Sequence, residues 1–222
     1  MRSRKRSNAR LAADSVVEPD PPSEALPRDF FARETEQVAR DLLGTWLVRD
    51  GPDGVTGGPI VETEAYGGPD DLASHTRAGR TRRTEPMFGE VGHAYVYLVY
   101  GMHDCLNVVA YRDRPAGAVL IRAIEPRLGV EVMRVRRGGR SGPDSRLASG
   151  PARLCQALSV TRALTGSDMT TGDGLWLARP TAGRAPEIRV GPRVGVDYAG
   201  PGWADRPWRF WIAGNPAVSK AR

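Results

Sequence analysis

HAYVYLVYGMHDCLNVVAYRDRPAGAVLIRAIEP, His93 to Pro126, holds three apolar runs separated by two short polar breaks. HAYVYLVYG alternates tyrosine with aliphatic residues, while CLNVVAY from Cys105 and GAVLIRAIEP from Gly117 are almost continuously apolar. Runs of this length and composition, bounded by glycine, aspartate and proline, read as strands. Breaks this short, with Gly101 in one and Asp113 and Pro115 in the other, are long enough for antiparallel hairpins and too short for parallel crossovers. The segment predicts an antiparallel meander.

Upstream, PIVETEAYGG from Pro59 reads as a further strand carrying two glutamates. Residues two apart on a strand share a face, so Glu62, Glu64 and Tyr66 look into one space. A strand with one wet face shows the same alternation, and both carboxylates pointing to water is the simplest reading. The alternative is a carboxylate general base or acid at the mouth of a cleft, its proton affinity tuned by partial burial.

Other side chains sharpen the choice. In VLIRAIE, Arg122 is expected on one face with Leu120 and Ile124, where a guanidinium needs a partner: Glu62, Glu64 or a phosphate. Asn107, between Leu106 and Val108, reads as a buried amide that must find hydrogen-bond partners or a ligand. In YVYLVY, Tyr95 and Tyr97 share a face, and Tyr100 sits on the other beside Gly101, where a turn can push its ring outward. Such a strand serves equally as cross-strand packing or as a stacking platform for bases. His75 opens the loop that carries Arg77, Arg80, Arg82 and Arg83, which reads either as phosphate contacts or as a solvated loop.

Working outward, ETEQVARDLLG spaces Val38, Leu42 and Leu43 as a helix ending near Gly44, followed by a strand at TWLVR. Helices are expected near 129–137 and 151–158, and RFWIAG near the C-terminus reads as a last strand. The fold class is α+β: a single mixed domain with a mainly antiparallel, curved β-sheet flanked by helices, without internal repeats. Two hundred and twenty-two residues suffice for one such domain and a tail. Residues 1–26, charged and Pro-rich, have the composition of disorder.

The formal charge is +6, and +5 remains once the five basic residues of 1–10 and the four acidic residues of 11–24 are set aside. A basic domain suits an anionic partner, nucleic acid first. Lys5 and Lys220, one in each tail, are the only lysines, so the folded region between them offers no amine for Schiff-base chemistry. Cys105 and Cys155, isolated in apolar surroundings, read as reduced core thiols, and neither an apolar leader nor a spanning segment is present, so a cytoplasmic protein without membrane contact is expected. No H-E-x-x-H, P-loop, G-x-G-x-x-G or zinc-deaminase signature occurs, so neither metal nor cofactor is expected. Catalysis must then run on a carboxylate, water and hydrogen-bond donors.

Taken in order, IVETEAY, SHTRAGR, MFGEVGHAYVYLVYGM with CLN, VLIRAIEP, GPARLCQAL, RVGVDYAG and PWRFWIAGNPAVS resemble the alkyladenine (3-methyladenine) DNA glycosylase family across residues 25–219. The resemblance implies a monofunctional, metal-free, monomeric enzyme of base excision repair, with a glycosylase domain over 27–220 acting on double-stranded DNA near the nucleoid. Such enzymes flip a damaged purine out of the duplex and hydrolyse its N-glycosidic bond with an activated water. By the same resemblance Glu64 is the general base and Arg122 helps to position the water. Tyr66, His75 and Tyr97 enclose the flipped base, Asn107 discourages the amino group of normal guanine, and Tyr100 fills the emptied stack. Arg77, Arg80 and Arg82 are phosphate-contact candidates, and Glu62 is assigned a structural role beside an arginine. The pattern departs after YGM, where His103-Asp104 replaces the aromatic residues of the mammalian branch. Two other readings remain: a non-catalytic sensor of damaged bases, and a carbohydrate hydrolase using Glu62 and Glu64 as an acid/base pair. The latter needs carboxyls facing each other roughly 5–10 Å apart.

Overall fold

The computed structural model describes residues 20–139, 141–180 and 185–220. Eight strands form one antiparallel, unclosed sheet: β1 (Trp46–Gly51), β2 (Gly54–Tyr66), β3 (Ala94–Val99), β4 (His103–Val109), β5 (Ala118–Ile124), β6 (Leu175–Ala178), β7 (Ile188–Gly191) and β8 (Arg209–Ile212). The order β3-β4-β5-β2-β1-β6 contains the expected meander, with β8 laid along Glu62 to Glu64 of β2 and β7 outside it. Among the described residues three short α-helices flank the sheet: α1 (Thr35–Asp41), α2 (Val130–Arg136) and α3 (Pro151–Ala157). The chain is a single mixed α+β domain.

The strand at PIVETEAYGG is longer than its sequence suggests. Gly57, Gly58 and Pro59 look like a strand boundary, yet β2 runs through them and pairs with β1. The glycines are there for close approach: a Cβ on Gly57 would lie 2.6 Å from the Leu47 carbonyl oxygen, and one on Gly58 would lie 1.8 Å from that of Glu125. The N-terminal half of β2 thus binds β1, and its C-terminal half is flanked by β5 and β8.

One face of that second half belongs to the core. Ile60 and Ala65 join Val38 and Ala39 of α1 and Leu42 just after it, and the Thr63 hydroxyl donates to the Ala39 carbonyl at 2.7 Å. From the other side of the cluster, Leu154, Cys155 and Leu158 on and after α3 meet Leu106 and Val108 of β4. Each such large aliphatic side chain contributes about 1.5–3 kcal/mol by leaving water. Cys105 and Cys155 are free thiols within this interior.

Strict alternation fails at one place, and the failure aims a side chain. Pairing of β2 with β5 passes from Ile60↔Ile124 through Glu62↔Ala123 to Thr63↔Ile121, which leaves Val61 and Arg122 as bulge residues. Ile121 and Ile124, three apart, therefore both enter the main core. Arg122 keeps the face of Leu120, as expected, but not that of Ile124, because the bulge re-aims it toward the glutamates.

Residues 1–19 of the expected tail lie outside the described residues. Residues 22–26 pack against β6. The Pro22 carbonyl accepts from the Trp176 indole at 3.2 Å, Ala25 bridges to Ala178, and Leu26 is buried with its amide on the Leu177 carbonyl. Burial of Leu26 on β6 outweighs the Pro-rich composition there.

Candidate active site

Glu62, Glu64 and Tyr66 project from the same side of β2, and Arg122 answers both carboxylates. Its Nε donates to Glu62 Oε1 at 2.8 Å, while Nη1 lies 3.1 Å from Glu64 Oε1. Both glutamates are 0 % exposed, so the solvated-strand reading is set aside. Burial alone would weaken the positive charge of Arg122, but Glu64 and Glu62 together hold the guanidinium firmly protonated.

The two carboxylates differ in how fully they are occupied. Glu62 Oε1 accepts from Arg122, from Arg209 Nε at 2.7 Å and from the Ser219 hydroxyl at 2.9 Å, and Oε2 accepts the Ser219 amide at 2.7 Å. Burial pushes this carboxyl up, but the two arginines and the Ser219 amide overcome it and hold the group below the usual range. Glu64 Oε1 accepts the Val194 amide at 2.7 Å and is ion-paired with Arg122, and Oε2 accepts the Tyr66 hydroxyl at 2.9 Å. A carboxylate accepts about four hydrogen bonds. Among the described residues Glu62 has four donors and Glu64 has three, one of them the ion-paired Arg122.

All three donors of Glu64 line a cavity of about 430 Å³, within the range of small-molecule sites. Its wall is aromatic on several sides. The rings of His75 and Tyr97 meet edge to face at 4.5 Å, Tyr95 and Tyr97 lie 5.6 Å apart, and the Tyr95 hydroxyl is 3.1 Å from His75 Nδ1. Burial, with Arg83 and Arg77 nearby, lowers the His75 imidazole to about 4, so at neutral pH it offers one N–H and one lone pair. Burial raises the phenol of Tyr66 well above its ordinary range, as does the Glu64 charge, and it raises Tyr97 and Tyr95 too. These hydroxyls remain donors.

Asn107 lies at the cavity wall, 3 % exposed, its amide nitrogen donating to the Tyr95 carbonyl at 3.0 Å. Beside it the Cys105 thiol is pushed up to about 11 by burial. Tyr100 stands at the mouth, 83 % exposed, with a positive φ of 53° that together with Gly101 turns the ring outward from β3. Asp104 is not a lone negative charge near this tip, since Arg162 Nε lies 3.5 Å from it.

The arginine loop divides. Arg77 stacks 4.9 Å over the Tyr198 ring and donates to the Leu72 carbonyl, Arg80 is held in a bidentate pair with Glu85 at 2.8 and 2.7 Å, and Arg82 is exposed. Arg83, which reaches over Tyr97 at 5.7 Å, lines the cavity. Sequence reasoning missed Asp71, in the loop after β2, and Arg193, Val194, Tyr198 and Arg209, which arrive from a loop and a strand far along the chain. Only RVGVDYAG and PWRFWIAG, as shared blocks, marked the latter regions.

Among the described residues no three His, Cys, Asp or Glu side chains gather into a metal-binding group, and no described helix is long and apolar enough to cross a membrane. Glu62 and Glu64 share one guanidinium on one side of the sheet instead of facing each other, which removes the support for a glycosidase pair.

The family model described as methylpurine-DNA glycosylase matches residues 29–216. A protein of Methanocella arvoryzae is 50 % identical over 195 residues, covering 88 % of this chain and 96 % of its own length. Relatives from Streptomyces avermitilis and Carboxydothermus hydrogenoformans are 47 % and 45 % identical, covering 89 % and 88 % of this chain and 92 % and 98 % of theirs. All three carry the provisional name 3-methyladenine DNA glycosylase.

Proposed function

Because the chain belongs to the methylpurine-DNA glycosylase family of hydrolases, we propose that it excises alkylated purines from double-stranded DNA with a water activated by Glu64. The observation that carries this reading is a buried carboxylate with three protein donors, each lining an aromatic cavity. The fourth acceptor position of Glu64 takes the water, and Arg122 and Tyr66 fix the carboxylate that receives its proton. The water oxygen bonds to the sugar carbon as the N-glycosidic bond breaks, and the bond electrons leave with the base. With no lysine between residues 6 and 219, the reaction ends at an abasic site, with no strand cleavage.

The purine is flipped from the duplex at a cost of a few kcal/mol, least for damaged bases. Stacking on Tyr66 and Tyr97 returns about 1–3 kcal/mol, and a cationic methylated base gains a further ~0.5–2 kcal/mol against electron-rich rings. Substrates are 3-methyladenine and 7-methylguanine, whose positive charge already activates the leaving group. Hypoxanthine and ethenoadenine, being neutral, ask more of the site. His75 hydrogen-bonds the base, Asn107 opposes the guanine amino group, and Tyr100 occupies the gap in the stack. Arg77 and Arg82 meet phosphates, while Arg80 joins them only by leaving Glu85. The enzyme acts as a monomer on cytoplasmic, nucleoid DNA.

The test is single-turnover release of base from duplexes carrying 3-methyladenine, 7-methylguanine or hypoxanthine, with alkali added to reveal abasic sites. Wild type should release base and break strands only after alkali. Lesion binding without release would replace this reading with the sensor.

A further inference from the structure

We propose that Arg193, fixed by Asp71, is a positioning residue that aligns two of the three donors to Glu64; the inference rests on Glu64 as the base. The pair is wholly interior, with side chains 0 % and 1 % exposed, and bidentate, Nη1 to Oδ2 at 2.6 Å and Nη2 to Oδ1 at 3.0 Å. The same guanidinium donates to the Ala65 carbonyl at 3.0 Å and the Trp203 carbonyl at 3.2 Å. Its carbon stands 4.8 Å from the Tyr66 ring centre and 4.9 Å from that of Trp208. Asp71 uses its remaining capacity on the amides of Gly67 and Ala73, both at 3.0 Å.

Four segments are thereby tied to one planar group: the end of β2, the 67–75 loop that leads to His75, the stretch beginning at Arg193, and 203–208. The next residue after Arg193 is Val194, whose amide is 2.7 Å from Glu64 Oε1, and the ring that Arg193 faces is Tyr66, whose hydroxyl is 2.9 Å from Oε2. Fixing Arg193 therefore fixes both donors. Stability alone does not account for the arrangement, because well-packed apolar side chains commonly replace a buried ion pair without loss. The Nε of Arg193 is buried without a hydrogen-bond partner, a defect tolerated where geometry matters. A rigid fork that both pairs and stacks is what arginine offers and lysine does not.

The experiment uses the full chain with Arg193→Lys, which keeps the charge opposite Asp71, Arg193→Met, which keeps the bulk, and Trp208→Leu, which spares the ion pair but removes one wall. Hydrogen exchange in DNA-free protein should show the Val194 amide opening at least about tenfold faster in Arg193→Lys, with β4 and β5 amides unchanged. Single-turnover base release at saturating protein should fall about 10–100-fold while the Kd for lesion duplex stays within about twofold. A folded Arg193→Lys with wild-type Val194 exchange and wild-type release would overturn the proposal. So would protection lost evenly over all strands, the mark of a mere prop. If neither Arg193 variant folds, Trp208→Leu decides: release reduced at unchanged Kd supports the role, and unchanged release refutes it. Failure of wild type to release base would instead sink the reading of Glu64, and leaves the DNA-free exchange result standing on its own.

Discussion

Glu62 receives four donors, two of them guanidiniums from β5 and β8 and two from Ser219, whereas Glu64 receives three, all from residues that line the cavity. Both carboxylates are buried to the same degree on the same strand. Burial therefore does not separate the two carboxylates. What separates them is where the donors come from and whether the acceptor capacity is used up. Around Glu62 they join distant parts of the chain, and around Glu64 they converge on one space with capacity to spare.

Glu64→Gln breaks the contrast most sharply. Single-turnover base release should fall about 10²–10⁴-fold, the range of a lost general base, with lesion-duplex affinity and Tm near wild type. Wild-type release by that variant would move the base elsewhere. Glu62→Gln should do the reverse. Removing one partner from a buried charge cluster costs about 3–5 kcal/mol, or roughly 6–20 °C of Tm for a domain of this size, while release per folded molecule stays within a few-fold. The folded Glu62 carboxyl titrates below its ordinary value, so its stabilisation is complete above about pH 4.3. It is lost as the pH falls through the lowered value, and the wild type but not Glu62→Gln should show that acid limb in urea melts.

Tyr100→Ala tests the exposed rim, where neither carboxylate reaches. About 1–3 kcal/mol of stacking should disappear as weaker lesion binding, with Tm unchanged. A Kd equal to wild type would remove the wedge. The smallest effect concerns His75, neutral in the fold down to about 4 but ordinarily titrating near 6.5. Between those values the unfolded chain binds more protons, so stability falls as pH drops through the window. Urea midpoints taken from about pH 7 to about pH 4.5 should decline less in His75→Gln than in wild type. Parallel declines would place the titration on other groups.

Local alternation made much of this legible. The meander, the shared face of Glu62, Glu64 and Tyr66, and the need of Arg122 for a carboxylate all follow from spacings within single strands, and Arg122 turns out to serve both glutamates. The turn at Gly101 likewise announced an outward Tyr100. What was not legible depends on partners distant in the chain. Gly57 and Gly58 look like a boundary until the Leu47 and Glu125 backbones are laid against them. The bulge that carries Arg122 off the face of Ile124 appears only when β2 and β5 are paired. Asp71 and Arg193 stand 122 residues apart, and neither neighbourhood hints at the other. The expected role of each site residue rested on the resemblance alone, since spacing left Glu62 and Glu64 equivalent.

Ser219 donates its amide to a carboxylate 157 residues earlier, on the strand that also carries Glu64. While the chain is still being made on a ribosome, that end of the knot does not yet exist, and the two arginines have only part of the glutamate arrangement they hold in the finished fold. Translation thus imposes an order of events: β2 can meet Arg122 and Arg209 first, but the hydrogen-bond shell of Glu62 is complete only after residue 219 has emerged. A stalled or prematurely ended chain would hold Glu64 and the tyrosines yet lack two of the donors to Glu62 on the same strand, which leaves incomplete copies with an unfinished support beside the cavity.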